Sequence, residues 1–509
     1  MKTSLINPSL RVLRADPFTT GIPYMPVSLA YAAGALRAKG HAVQVVDAFG
    51  ENPSQYRRQD GFMIRGLTPA QVEERVSPET DVFVLYAGNL TSHRSLEEIL
   101  RHLRWRRPEI PRVVMENTQA VTAYSLRRVM PDLFDAGATY VLCGEAEKRL
   151  PVLLDCIRGG VLPQQVDGVG WRDECGEHFS APSLDQNPEI DSLPLPAWEL
   201  FRLERYWSLG YAHGPLSRRK YLPLLTSRGC PYACGFCVIP ETTQKRWRGR
   251  SAWSVVEEMS HWRRTLGVTE FHIEDVNPTV DDVRMREISR LILDRKLDVI
   301  WKISAGTKVE TIKSEETIDA TSRAGCRYIP ISPESGSPDL LKRIGKPFDM
   351  QHALRIVRRM SERGIRSQCC FVLGFPGETE EDRRLTWRMV RRLVKEGVDE
   401  IALFIVTPVP GSRIFGEFSG FRDYSELNFS PTWREDFASL SRFRMKLYGA
   451  FLLWKLIFHP WKLLGQPFGF LLRRFSTKME MTPYRALHTF LMERGLSGQR
   501  VFWEPTWTA

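Results

Sequence analysis

The chain has 509 residues, long for one hydrophobic core, so two or three domains are expected. Apolar residues make up 43% of it, as in ordinary globular domains, and no uninterrupted apolar run of about 18 residues suggests a simple transmembrane helix. Nine cysteines, an odd and dispersed set, argue against a disulfide framework, and a net charge of +11 favours anionic partners: nucleic acid, acidic lipid headgroups or a phosphorylated substrate. Met1-Lys-Thr-Ser-Leu-Ile-Asn7 runs straight into a predicted strand with no secretory signal, so the expected compartment is the reducing cytoplasm.

Residues 1–160 alternate short apolar runs with helical patterns. Strands are predicted at Ser4–Ile6, Ala42–Asp47, Asp81–Tyr86, Arg112–Met115 and Tyr140–Cys143, and helices at Val27–Lys39, Ser95–Arg106, Ala123–Phe134 and Ala146–Arg158. This alternation predicts an α/β, doubly wound, Rossmann-like parallel sheet with sites at the carboxyl ends of its strands. The Gly-x-Gly-x-x-Gly dinucleotide fingerprint is missing after the first strand. Residues 161–215 read as a linker, with a hairpin arm at Val166–Asp173 and a Pro-punctuated extended stretch at Asp191–Trp198.

Residues 216–412 hold six strand-like runs: Tyr221–Thr226, Glu270–Glu274, Val299–Ser304, Tyr328–Ser332, Gln368–Gly374 and Glu400–Val406, each gap carrying a helical pattern. Six β/α units predict a partial (β/α)6, TIM-like barrel, whose open side would leave a lateral gap for a bulky substrate. Residues 413–509 read as helical, basic and aromatic. Between Phe437 and Met479 there is no acidic residue, and Arg442, Arg444, Lys446, Lys455, Lys462, Arg473, Arg474 and Lys478 are spread among apolar runs. That pattern fits an interfacial helix pair on an anionic membrane over residues 440–476, or a helical cap on the barrel with a basic outer rim.

The chemistry concentrates in Ser227-Arg-Gly-Cys-Pro-Tyr-Ala-Cys-Gly-Phe-Cys237, just after the first barrel strand. Thiolates are the usual ligands of iron–sulfur clusters. Three close thiols, Cys230, Cys234 and Cys237, with no obvious fourth, suggest a cubane with one iron open to a cofactor or substrate. The zinc alternative fits less well, because zinc favours paired Cys-x2-Cys units and four ligands.

This Cys-x3-Cys-x-aromatic-Cys spacing, with Phe236 as the aromatic, resembles the signature of the radical S-adenosylmethionine (radical SAM) superfamily. The resemblance implies a [4Fe-4S] cluster whose open iron chelates S-adenosylmethionine and cleaves it to a 5′-deoxyadenosyl radical. Further segments resemble the same superfamily. Phe271-His-Ile-Glu-Asp-Val-Asn-Pro-Thr279 implies that Glu274 and Asp275 lie near the SAM amino group, the cluster or the substrate. Ile331-Ser-Pro-Glu-Ser-Gly-Ser337 implies ribose contacts from Glu334 and Ser335. Phe371-Val-Leu-Gly-Phe-Pro-Gly-Glu-Thr379 implies close backbone approach to the adenine at Gly374 and Gly377. Thr407-Pro-Val-Pro-Gly-Ser412 resembles the closing segment of the barrel.

The first 160 residues resemble the cobalamin-binding domain that precedes many radical SAM cores. The match lies in Leu5-Ile-Asn-Pro8, in the helix–Gly–strand–Asp pattern from Pro26 to Asp47, and in Leu142-Cys-Gly-Glu-Ala-Glu147. It implies cobalamin contacts from Asn7, Pro8, Pro26, Asn89, Thr91, Glu116, Gly144 and Glu145. The Asp-x-His-x-x-Gly motif that supplies a cobalt-ligating histidine is absent, and His93 lacks that context, so the cobalamin is expected base-off without a histidine ligand.

By this resemblance the chain is a cobalamin-dependent radical SAM enzyme of the methyltransferase and anaerobic magnesium-protoporphyrin ester cyclase group. The expected activity is methylation of an unactivated carbon of a small-molecule or lipid-like substrate. The alternative is a cyclisation, rearrangement or oxidation without methyl transfer. Partners would be a flavodoxin- or ferredoxin-type electron donor and a peripheral contact with the inner face of the membrane. A tRNA-modifying methylthiotransferase, and with it a nucleic-acid partner, is disfavoured: residues 1–160 hold only Cys143 and Cys156. No acid–base residue is identifiable from the sequence.

Overall fold

Strands buried on both faces require near-continuous apolar sequence, and Val82–Ala87, buried at every position, is of this kind. The computed structural model describes residues 1–16, 18–120, 122–181, 189–464 and 466–494. In its N-terminal half Val82–Ala87 lies in a seven-stranded sheet. The order runs Ala42–Asp47, Lys2–Asn7, Val82–Ala87, Arg112–Glu116, Tyr140–Leu142, Val169–Asp173, Gly176–Phe179. The first five strands pair in parallel; the last two form an antiparallel hairpin that extends the sheet edge.

The second sheet has six parallel strands in sequence order: Tyr221–Leu224, Glu270–Ile273, Ile300–Ile303, Cys326–Glu334, Arg366–Leu373 and Glu400–Ile405. This is the expected partial barrel. Its helices carry strong end signals. Glu380–Lys395 opens on a Thr379–Asp382 capping box with three carboxylates in its first turn, and closes with Arg392 and Lys395, complementing the helix dipole at both ends.

One hydrophobic core runs through both sheets. The linker joins them as packed structure: Trp198 is fully buried, and Ala197 donates its N–H to the Ala30 carbonyl. Gly34 makes this crossing possible, because a Cβ there would stand 2.2 Å from the Leu195 carbonyl oxygen.

Three features differ from the sequence expectation. The hairpin arm expected at Val166–Asp173 in the linker is Val169–Asp173 with Gly176–Phe179, and it pairs into the N-terminal sheet. A three-stranded antiparallel sheet of Leu10–Leu13, Phe62–Arg65 and Tyr56–Gln59 sits at the mouth of the N-terminal sheet. Its strands are short and do not alternate apolar with polar residues, so no period marked them. The C-terminal region also packs more than expected. Helix Phe437–Phe458 buries Leu440, Leu447 and Phe451 together with Arg444 and Lys455, and Lys455 donates to the Asp399 carbonyl. Lys462 pairs with Asp399 at 3.1 Å. Several basic residues read as lipid-facing therefore turn inward. The other face leaves Leu452, Leu453, Leu456, Ile457, Trp461, Leu464, Phe468 and Leu471 exposed. No described helix is long and apolar enough to cross a membrane. Residues 495–509 of the expected helical region lie outside the described residues.

Candidate active site

The cysteine loop is built to hold a fixed shape. It leaves the first barrel strand through Gly229, at φ +76°, where a Cβ would stand 1.9 Å from the Arg246 carbonyl oxygen, so only glycine fits. Asp275 pins its base. Both oxygens of this fully buried carboxylate are used, accepting from the Thr226 N–H at 2.7 Å and from the Thr226 and Ser227 hydroxyls at 2.6 Å each. Farther along, Gly235 donates to the Ile344 carbonyl at 2.8 Å and accepts from the Ile414 N–H at 3.3 Å. The loop is thus tied to segments after the second, fourth and sixth strands.

Burial raises the Cys230 and Cys234 thiols and pushes Cys237 up to about 12, while Lys346 pulls each the other way. Lys346 pairs with Glu334 and lies 5.9 Å above the Phe236 ring; Lys308 lies 5.2 Å above Tyr232. Two cations beside three thiols suit a donor set that must be deprotonated to bind iron. Asn277 places Nδ2 at 4.0 Å from Cys230 Sγ and leaves its buried Oδ1 without a hydrogen bond. Among the described residues no three His, Cys, Asp or Glu converge as they would on a single ion. A cubane presents a different iron to each thiolate, so its ligands stand farther apart.

A cavity with about 720 Å³ of empty space, partly open to solvent, lies where the carboxyl ends of the N-terminal strands meet the barrel. Asn7, Pro8, Pro26 and Asn89 line it, as do Tyr24, Tyr86, Asn117 and Gln119, and the barrel contributes Glu274. The Gln119 Oε1 is buried and has no hydrogen-bond partner, so the wall offers an unused acceptor to a ligand. No histidine among the described residues lines the cavity. His93 is buried elsewhere, with Nδ1 at 2.9 Å from the Tyr124 hydroxyl.

The other residues expected at this cavity have different surroundings. Thr91 lines an adjoining recess. Both Glu116 oxygens accept backbone N–H groups, from Leu126 and Gly144, and burial raises this carboxyl to about 7. Gly144, at φ +81°, forms the turn, and Glu145 and Glu147 reach across to ion pairs with Arg248 and Arg228. The Gly-Glu-x-Glu segment thus clamps the N-terminal sheet to the ribbon of Ser227–Arg228 and Arg248–Gly249 that frames the cysteine loop.

The residues expected around SAM also divide. Glu334 faces Lys346 near the cysteine loop and adopts φ +63°, a strained backbone for a non-glycine residue. Ser335 is engaged internally, with the Ser337 N–H at 3.1 Å and the Thr386 hydroxyl at 3.3 Å. At Gly374 an added Cβ would meet Leu440 at 2.5 Å and Arg434 at 2.9 Å; at Gly377 it would meet Arg343 at 2.9 Å. The close approach these glycines permit in this structure is therefore to protein side chains.

The barrel interior is strongly polar. Glu270 accepts from Lys302 at 2.7 Å and lies 2.9 Å from His272 Nε2. Burial alone would raise Glu270, but Lys302 and His272 outweigh it and hold the carboxyl at about 2. At the carboxyl end Glu274 lies 2.6 Å from His213 Nδ1, and the His213 ring packs 4.6 Å from Tyr24. Lys478, from helix Lys478–Glu493, donates to the Ser304 carbonyl at 2.6 Å. His213 and Lys478 lie in the linker and the C-terminal region, outside any motif, and only the tertiary fold brings them to Glu274.

Residues 224–390 match the Radical SAM superfamily. That segment is a radical SAM domain, and the protein is an enzyme. It is 26% identical to the cytidylyl-2-hydroxyethylphosphonate methyltransferase of Streptomyces wedmorensis over 472 residues, 85% of each protein. It is 23% identical to the anaerobic magnesium-protoporphyrin IX monomethyl ester cyclase of Rubrivivax gelatinosus over 423 residues, 81% of this chain and 70% of the cyclase. The radical SAM methyltransferase TsrM from Kitasatospora setae, solved with cobalamin and a [4Fe-4S] cluster bound, shares the fold at a TM-score of 0.60 and 19% identity. That match covers 82% of this chain and 74% of TsrM.

Proposed function

We propose that the protein is a cobalamin-dependent radical SAM methyltransferase acting on an unactivated carbon of a small-molecule or lipid-like substrate. Cys230, Cys234 and Cys237 would hold the [4Fe-4S] cluster, with SAM against it near Phe236 and Glu334. Asn7, Pro8, Pro26, Asn89 and Gln119 would line the cobalamin site. When bound, the cluster supplies the electron that cleaves SAM and the cobalamin supplies the methyl group.

The observation that carries this reading is one short segment. Glu274 lines the N-terminal cavity, and three positions later Asn277 stands beside Cys230. A substrate bound there would face both cofactor sites at once. The chain's own part is to fix that geometry, through Asp275 and the Glu145 and Glu147 clamps, and to shield the substrate from water.

A reading without methyl transfer, a radical cyclisation, has support from the similarity to the Rubrivivax cyclase over 81% of the chain. Anaerobic reconstitution tests both. Reductive SAM cleavage with about one cobalamin retained per chain is expected. A product heavier by one CH2 supports methylation, and an unchanged carbon count excludes it.

The electron donor would be a flavodoxin or ferredoxin. A peripheral membrane contact is part of the proposal: the exposed apolar side chains from Leu452 to Leu471 sit in a stretch with no acid, beside exposed Arg442 and Lys446. In flotation with anionic vesicles the full chain should rise, and recovery should fall on replacing Leu456 and Ile457 by Ser. Equal recovery would remove the membrane from the proposal.

A further inference from the structure

Lysines that enter the barrel meet carboxylates: Lys302 pairs with Glu270 and Lys346 with Glu334. Lys478 differs. It opens the helix Lys478–Glu493, outside residues 224–390, and no carboxylate among the described residues lies within ion-pair distance of its ammonium. Its Nζ donates to the Ser304 carbonyl at 2.6 Å and faces His213 Nε2 at 3.4 Å. His213 Nδ1 is 2.6 Å from the Glu274 carboxylate, which assigns the ring proton to Nδ1 and leaves Nε2 as acceptor for Lys478. The remaining ammonium N–H then has no oxygen or nitrogen acceptor among the described residues; only the Tyr328 ring faces Nζ, at 6.0 Å.

An ammonium removed from water without an anion is costly, and fixed protein charges of this kind are normally paired. The fold does not need this one. The helix start is already anchored through backbone: the Lys478 and Met479 N–H groups donate to Glu400, and Thr477 caps the first turn. Phe475 adds a backbone bond to the Leu216 carbonyl at 2.6 Å. One N–H of the side chain is left to serve a ligand. Its position fits one, because Glu274 and Tyr24, which hold His213, both line the N-terminal cavity.

We infer that Lys478 recognises an anionic substituent, a carboxylate or a phosphoryl group, on the substrate held between barrel and cavity. The inference rests on the proposed function, of which it specifies the substrate class. Charge-assisted hydrogen bonds to such a group are stronger than those to neutral acceptors, so a C-terminal helix that supplies one ammonium can select substrates for a widely shared core.

The test uses the full, cluster-reconstituted chain with methylphosphonate, acetate and neutral acetamide as probes, read as saturable shifts in Tm. The wild type should be stabilised by at least one of the two anions and not by acetamide; the stronger anion names the substituent. Lys478→Met should weaken that response at least ~10-fold, and Lys478→Arg should keep most of it. If the Met variant does not fold, Lys478→Gln takes its place. Reductive SAM cleavage without substrate should be unchanged in the variants. Equal anion responses in wild type and Met variant, or no response in the wild type, would overturn the inference while leaving the superfamily chemistry intact. Loss of SAM cleavage in the Met variant would also overturn it, assigning Lys478 to the cofactor site.

Discussion

The two parallel sheets place their open ends against each other, yet they line them with opposite chemistry. The N-terminal mouth presents neutral groups: Asn7, Asn89, Asn117, Gln119, Tyr24 and Tyr86. The barrel presents charge at every level, from Glu270 and Lys302 at the amino end to Glu274, His213 and Lys478 at the carboxyl end. A neutral, hydrogen-bonding wall suits a large cofactor bound through many weak contacts. A charged interior in low dielectric suits a cluster, a sulfonium cofactor and an ionic substrate, where each charge orients a partner strongly.

The largest expected effects come from the charged side. Replacing Cys234 by Ala should abolish iron binding at this loop and reductive SAM cleavage, down to background, as measured by iron content and 5′-deoxyadenosine release. If cleavage persists with iron retained, the loop is not the cluster site. Lys302→Met comes next. It strands the buried Glu270 carboxylate and should cost about 3–5 kcal/mol in chemical denaturation. The pair also sets an acid limit. Glu270 sits near 2 in the folded chain against an ordinary value of 4.5, so its stabilisation is full above 4.5 and is lost as pH falls toward 2. A variant as stable as the parent, with the same acid transition, would show that the pair is not coupled to folding.

The neutral side should respond more gently. Gln119→Leu removes one acceptor from the cavity wall and should weaken cobalamin retention about tenfold while SAM cleavage stays unchanged. Unaltered retention would move the cofactor away from this wall. The smallest signal is spectroscopic. Bound cob(II)alamin should show no histidine nitrogen splitting in its EPR spectrum, since no described histidine lines the cavity. Such splitting would place the cobalt elsewhere.

Much of this architecture was legible because parallel strands are apolar along their whole length. The predicted strand starts fall within two residues of those observed for the parallel strands of both sheets. The cysteine loop was legible because spacing alone carries its chemistry. The second barrel strand was only half legible: Glu274 and Asp275 read as one acidic pair, but successive side chains point to opposite sides. Glu274 therefore faces the cavity and Asp275 fastens the loop. Glu116, Gly144 and Glu145 read as ligand contacts; in the structure Glu116 ties the Leu126 and Gly144 N–H groups together within the N-terminal half, and Glu145 reaches across to Arg248. His213 was not legible, and Lys478 was legible only as one of the basic residues of the C-terminal region. Each sits in a segment without a period or motif, and their meeting is a product of chain topology.

On the proposed function, a cluster on the cysteine loop and a cobalamin in the N-terminal cavity would share one substrate space bounded by Glu274. Pulsed EPR on the anaerobically reconstituted protein, with the cluster reduced and the cobalt as cob(II)alamin, tests it most directly. Dipolar coupling between the two centres is expected, lost when Cys234 is replaced by Ala. Two uncoupled signals, each identical to that of a sample holding one centre alone, would contradict it.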